Sequence, residues 1–231
     1  MEVSESFAAF KRNNASIESL VRCADVYSLH ALSIHRGAPP DTELIQKVIT
    51  QGGRSSLARS WQLFMKKEEY DLFGERGHLR SICEHIVFAS YVAVESYLIG
   101  KYGEYFHAKY AALGKSRRGA ILKKMSLRSL EEIRKQYAEF LDIHIANFEP
   151  LVGVYKEAPW FHPSGCWNGL KILARCRNNL AHTGEMKDAR LVVLVDAWSV
   201  FEFCREWVNY FEINYNDFVY RDKKVKFEVS P

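Results

Sequence analysis

Toward its C-terminal end the chain reads Arg177-Asn178-Asn179-Leu180-Ala181-His182, closing a run that reads as a helix from Gly169 and stops before Thr183-Gly184. An arginine and a histidine separated by four residues place a permanent cation and a proton-transfer group within about a turn of each other. Cleavage of RNA without a metal needs those two groups. The 2′-hydroxyl attacks the adjacent phosphate, so no bound water has to be activated. A histidine in the position of His182 can take that proton or return one to the 5′-oxygen leaving group. Arg177 offers a planar fork of donors to the extra negative charge of the phosphorane-like transition state. Asn178 would orient His182 or bond a phosphate oxygen. The expected products are a 2′,3′-cyclic phosphate and a 5′-hydroxyl, and this chemistry calls for no metal and no cofactor.

The helix that must position these groups can be drawn from the sequence. At about 100° per residue, Leu173, Cys176 and Leu180 form one apolar stripe. Arg177 lies about 40° from Leu173, Asn178 about 140° and His182 about 180°. The polar residues therefore sweep from the core edge to the opposite face. Asn178 and His182, four apart, are surface neighbours, and small Ala181 leaves room beside them. One copy gives a sweep, not a closed pocket. Two copies facing across a two-fold axis would surround a phosphate better, which predicts a homodimer with a composite site.

The remaining elements also read as helical. Apolar spacing predicts helices over Ser16 to Ile34, Asp41 to Val48, Leu57 to Phe73 and Leu79 to Phe106. Ile82, Ile86, Ala89, Val94, Tyr97 and Leu98 are the expected core contacts of the last of these. Leu113 to Arg118 reads as a basic turn, Ser126 to Phe148 as a helix, and the proline-containing Phe148 to Ser164 as a loop. Helices follow at Gly165–His182 and Asp188–Phe211, and Val219 to Val229 alternates like a short strand or an extended arm. No repeat, low-complexity tract or linker divides the chain. The expected architecture is all-α: a helical bundle over residues 78–215, a helical extension over 1–77 packed on it, and a tail over 216–231.

Composition narrows the function classes. With 231 residues and 48% apolar side chains the chain can build a real core, and a net charge of +4 is too mild to announce nucleic acid by itself. Five cysteines, odd in number and without C-x-x-C spacing, read as reduced core thiols of a cytosolic protein rather than a disulfide frame or a zinc site. Met1 to Asn14 lacks the basic and apolar regions of a signal peptide. The apolar stretch Ile86 to Gly100 is short and carries Glu95, so no membrane span is expected.

Against this background the Arg177–His182 segment resembles the R-x4–6-H motif of HEPN domains, small all-α folds found in many prokaryotic toxin and defence ribonucleases. The asparagine after the arginine and the small residue before the histidine match the active members. Val87 to Leu98, apolar with an embedded Glu95, resembles their first helix, and Leu191 to Phe211 supplies the last bundle element. The resemblance covers about residues 78–215 and does not reach the first seventy. It implies an antiparallel bundle and a cytoplasmic, homodimeric, metal-independent endoribonuclease acting as a toxin or antiviral effector, with an antitoxin or defence protein as a possible partner. Arg177, Asn178 and His182 would be catalytic, with Glu95 and Asn179 in support. The other outcome for such a fold is a catalytically silent module that dimerises, or binds RNA or a protein.

Each residue also has a plainer reading. Arg177 can pair with Glu95 or Glu185 at the bundle edge, and His182 can simply suit a helix C-terminus. Glu95 either contacts the arginine or faces solvent. Lys115, Arg117, Arg118, Lys123, Lys124 and Arg128 form the densest basic segment, which either grips RNA phosphates or is a solvated turn. Trp160, Phe161 and Trp167 either stack on unpaired bases or pin their loop to the bundle.

Overall fold

The computed structural model describes residues 4–35, 78–149, 160–161, 165–187, 191 and 194–220. Six α-helices and no strand occur among the described residues: α1 (Glu5–His35), α2 (His78–Lys109), α3 (Lys115–Lys124), α4 (Leu130–Gln136), α5 (Cys166–Thr183) and α6 (Leu194–Tyr220). The expected helices over 41–48 and 57–73, and all of the tail after 220, lie outside the described residues.

α2 is the axis of the fold. It is apolar on most of its circumference, as a helix surrounded by others must be, and α1, α5 and α6 all pack on it. Ile86, Val94, Tyr97 and Leu98 are buried, and Ile82 and Ala89 pack against the core from its edge. By length and composition Arg80–Lys109 could cross a membrane, and 56% of that apolar window is buried inside the molecule. Gly100 permits the close approach of α1: a Cβ there would stand 2.5 Å from Ser6 Oγ.

α1 begins at Glu5, eleven residues before the expected start. Ser4 caps it by accepting the Phe7 N–H. Phe10, Ile17, Val21 and Ala24 then form its buried stripe, with Phe7 and Phe10 edge-on to Tyr97. The intervening Lys11, Arg12 and Asn13, which break the apolar pattern, face solvent. A buried polar knot ties α1, α2 and α6. Lys101 Nζ, 1% exposed, lies 2.8 Å from Glu212 and 3.5 Å from Glu104. Tyr97 donates to Glu212 at 2.6 Å, and Ser6 donates to Glu104 through both its N–H and its hydroxyl. Each charge has a partner, which a buried ion pair requires to offset its desolvation. Burial, and next the Glu212 carboxylate, push the Tyr97 phenol well above its ordinary range.

On α6, Phe211 anchors an aromatic cluster: Trp207 and Tyr215 stack on it, and Tyr97, Tyr137 and Phe148 meet it edge-on. Fully burying one such side chain contributes roughly 1.5–3 kcal/mol. α6 starts at Leu194 rather than Asp188 and runs to Tyr220, through the position expected to open the tail.

The segment between α2 and α5 departs most from expectation. Lys115 to Lys124 is a ten-residue helix, not a turn, with no buried residue; Ile121 and Leu122 rest on the core's edge. The predicted helix over Ser126 to Phe148 is instead α4, a π-helical turn Tyr137–Leu141, a left-handed Asp142 and a 3₁₀ turn Ile145–Asn147. A capping box sets the later start. Ser129 accepts the Glu132 N–H, and the Glu132 carboxylate accepts from the Arg128 N–H and the Ser126 hydroxyl.

Candidate functional site

The start of α5 is fixed by Glu149, whose carboxylate accepts the Cys166 N–H at 2.8 and 2.9 Å. Gly165 makes that approach possible. Its φ is +101°, and a Cβ there would meet Glu149 Oε1 at 2.4 Å. Leu173 and Cys176 are buried and Leu180 packs on the core edge, so the apolar stripe faces inward as its spacing requires. At the other end Gly184 adopts a left-handed conformation (φ +75°) and donates to Leu180 O. The turn beyond is stapled to α2: Met186 is buried, its N–H donates to Glu84 and its carbonyl accepts from Arg80.

This frame brings Arg177 to α2. One terminal nitrogen pairs with Glu95 and the other donates to Asn178 Oδ1 at 2.8 Å. The guanidinium carbon lies 5.8 Å from the centre of the Tyr91 ring, which adds a cation–π contact. Tyr91 in turn donates to Glu95 at 3.4 Å. Burial, followed by the Glu95 charge, holds the Tyr91 phenol above its ordinary range, with Arg177 opposing. Arg177 Nε is buried and has no hydrogen-bond partner. The guanidinium, its side chain 26% exposed, has its orientation set from three sides.

Arg177 and Asn178 line a cleft of about 400 Å³. Tyr91 and Glu95 of α2 close one side, and Arg128 to Glu131 at the start of α4 close another. Lys171 and Ala174 of α5 complete it. Lys171 reaches across to Glu131 at 3.4 Å, and Glu131 also holds Arg134 at 2.7 Å. Arg134, then Lys171, draw the Glu131 carboxyl below its usual range.

His182 is exposed near the C-terminal end of α5 and is not among the cleft's lining residues. Lys171, Asn178 and His182 nevertheless fall within about 40° of one another around the helix, so His182 continues the line that the cleft begins. Asn179 is half-buried, its carbonyl accepting the Thr183 hydroxyl at 2.8 Å. Among the described residues no three histidine, cysteine, aspartate or glutamate side chains converge as a metal-binding group would.

The other candidates separate. Arg118 is partly committed elsewhere: one terminal nitrogen donates to the carbonyls of His107, Tyr110 and Ala111, closing the C-terminus of α2. Lys115, Arg117, Lys123 and Lys124 are exposed along α3 and line no part of the cleft. Arg128 does. Base stacking on the loop aromatics is overturned by burial. Trp160 is 1% exposed, donates to Ser199 at 2.6 Å and packs on Phe203, and Trp167 is buried as well. Phe161 closes against Trp160 and Phe203. Lys171, Ser129 and the cleft itself escaped the sequence reading, because nothing local links residue 128 to residue 171. No protein-family model, curated protein or solved structure matches the chain.

Proposed function

We propose that the protein is a metal-independent endoribonuclease of HEPN type, acting as a toxin or antiviral effector. The carrying observation is Arg177. It is oriented by Glu95, Asn178 and Tyr91 at the rim of a cleft, on the helix that also bears His182. A preset guanidinium stabilises charge that develops at a bound phosphate without first having to reorganise. His182, exposed on the adjoining face, is free to meet a 2′-hydroxyl or a 5′-oxygen. Its place outside the cleft favours the composite arrangement, in which a second copy brings its own α5 opposite and the two histidines divide the acid and base roles. RNA is the substrate class, and an antitoxin or defence-system protein is the partner that would keep the enzyme quiet.

A second reading is supported by the same geometry. Glu95 neutralises Arg177, so a silent module that dimerises, or binds RNA or a protein, would also keep this pairing for stability. Cleavage of tRNA and mRNA pools in EDTA separates the two. Wild type is expected to release 2′,3′-cyclic phosphate ends, and His182→Ala and Arg177→Ala to lose at least a hundredfold in rate. Equal activity of all three proteins, or none from pure wild type, would remove the catalytic reading.

A further inference from the structure

We infer that the cleft between α2, α4 and α5 is a subsite for one unpaired nucleotide of an RNA strand, with Arg128 as its phosphate anchor. The inference rests on the RNA-directed reading of the Arg177 site and names the part of the substrate that the site grips. Three cations, Arg128, Lys171 and Arg177, converge on the cleft against two carboxylates, Glu95 and Glu131. Two of the cations are engaged: Arg177 by Glu95 and Lys171 by Glu131. Among the described residues the Arg128 guanidinium pairs with no carboxylate, and it is exposed. Its backbone is held by the Glu132 carboxylate within the capping box, which fixes the root of the side chain at the cleft, and the guanidinium charge is felt by Glu132 without an ion pair.

Size and lining select the ligand. About 400 Å³ lies at the small end of ligand clefts, which suits a single small unit such as one nucleotide. Ala174, half-buried, with the little of Leu130 and Tyr91 that reaches the surface (5% and 1% exposed), gives the cleft an apolar floor. The Asn178 amide, whose oxygen is taken by Arg177, still has its N–H groups to offer. The α5 face then supplies the path: Asn178 to His182 is about 6 Å along the helix axis. A strand seated in the cleft would leave it alongside Arg177 and pass toward His182, so the nucleotide held is a neighbour of the scissile phosphate.

The probe is a fluorescent 2′-O-methyl oligoribonucleotide, which cannot be cleaved, titrated at several salt concentrations. Arg128→Ala should weaken binding about tenfold, the scale of one charge-assisted contact. It should also make the slope of log K against log salt shallower by about 0.7, the value for one phosphate on a single strand. Ala174→Phe, which fills the cleft, should weaken binding with no loss of the folded state by circular dichroism. A duplex of the same sequence should show no dependence on Arg128. Unchanged affinity and slope in Arg128→Ala, equal dependence in the duplex, or no binding by wild type would each overturn the subsite. Cleavage of the all-ribose strand tests the ribonuclease reading separately. Binding that depends on Arg128 without cleavage keeps the subsite and removes the catalysis, and cleavage indifferent to Arg128 and Ala174 does the reverse.

Discussion

Glu95 and Arg177, 82 residues apart, carry the geometry on which the site depends, and their coupling can be measured without any assumption about catalysis. Their side chains are 14% and 26% exposed, between a surface pair and a buried one. Exposed pairs contribute up to about 1 kcal/mol, and breaking a buried pair costs about 3–5 kcal/mol. About 2 kcal/mol is therefore expected for this one. Glu95→Gln keeps the shape and removes the charge, leaving a half-buried guanidinium whose Nε is already without a partner. Arg177→Met keeps the packing stem and strands Glu95 with only the Tyr91 hydroxyl. Either change should cost about 2 kcal/mol, or about 4–8 °C in Tm for a chain of this size. The double variant should lose about 2 kcal/mol less than the sum, because neither charge is then left alone. Urea unfolding of the four proteins completes the cycle. Additivity to within about 0.5 kcal/mol would refute the pairing, and with it the claim that α2 presets the arginine.

Two further outcomes test the frame around the site. Gly100→Ala places a Cβ 2.5 Å from Ser6 Oγ, which is held to Glu104 at 2.7 Å. Overpacking of about 1–3 kcal/mol should outweigh the gain of up to about 1 kcal/mol in helix propensity. In a Ser6→Ala background the penalty should fall by at least half in thermal unfolding, and an equal penalty in both backgrounds would clear the hydroxyl. The capping box makes a pH prediction. The Ser126 hydroxyl, then the Arg128 N–H, draw the Glu132 carboxyl below its usual range. A carboxyl depressed in the folded state contributes stability above its unfolded pKa of about 4.3, lost as pH falls through the folded value. Urea midpoints of wild type and Glu132→Gln should thus differ at pH 7 and converge below about pH 4; a constant gap down to pH 3 would exclude the carboxylate as the cause.

The sequence placed α5 and α2 within a few residues of their observed ends because punctuation and pattern agree there. Gly165 and Gly184 bracket the motif helix, and Leu173, Cys176 and Leu180 give it one unambiguous inner face. Periodicity failed where backbone geometry changes without changing the pattern. Leu130, Ile133, Tyr137, Leu141 and Ile145 keep a helical spacing through a π turn and a left-handed Asp142, and four of the five are at most 1% exposed. A signal for the true start, Ser129 and Glu132 at capping-box spacing, was present beneath that pattern. α3 was illegible for the opposite reason: with no buried residue it shows no stripe, and Arg118 ties it to the carbonyls of α2. Crowding of lysines and arginines records neighbours along the chain, whereas a cleft is lined by neighbours in space, and of that segment Arg128 is the residue that lines it. Arg128, at the edge of that crowd, lines the cleft beside the capping box that opens α4.

The same distinction bears on the motif itself. Arg177 and His182 are close in sequence, yet their directions differ by about 140° around the helix, and the structure gives them different surroundings. Arg177 is locked to α2 at the cleft, whereas His182 stands exposed beyond it. A fixed charge and an uncommitted proton carrier suit a reaction in which the substrate bridges them. The phosphate would sit against the preset arginine, and the sugar hydroxyl or leaving oxygen would come to a histidine, its own or a second copy's. In the proposed reaction the RNA would supply the bridging distance, so the pair would not have to touch. On that reading the chain has only to supply a fixed entry for the strand, and Lys171, Asn178 and His182 lie exposed along one face of α5.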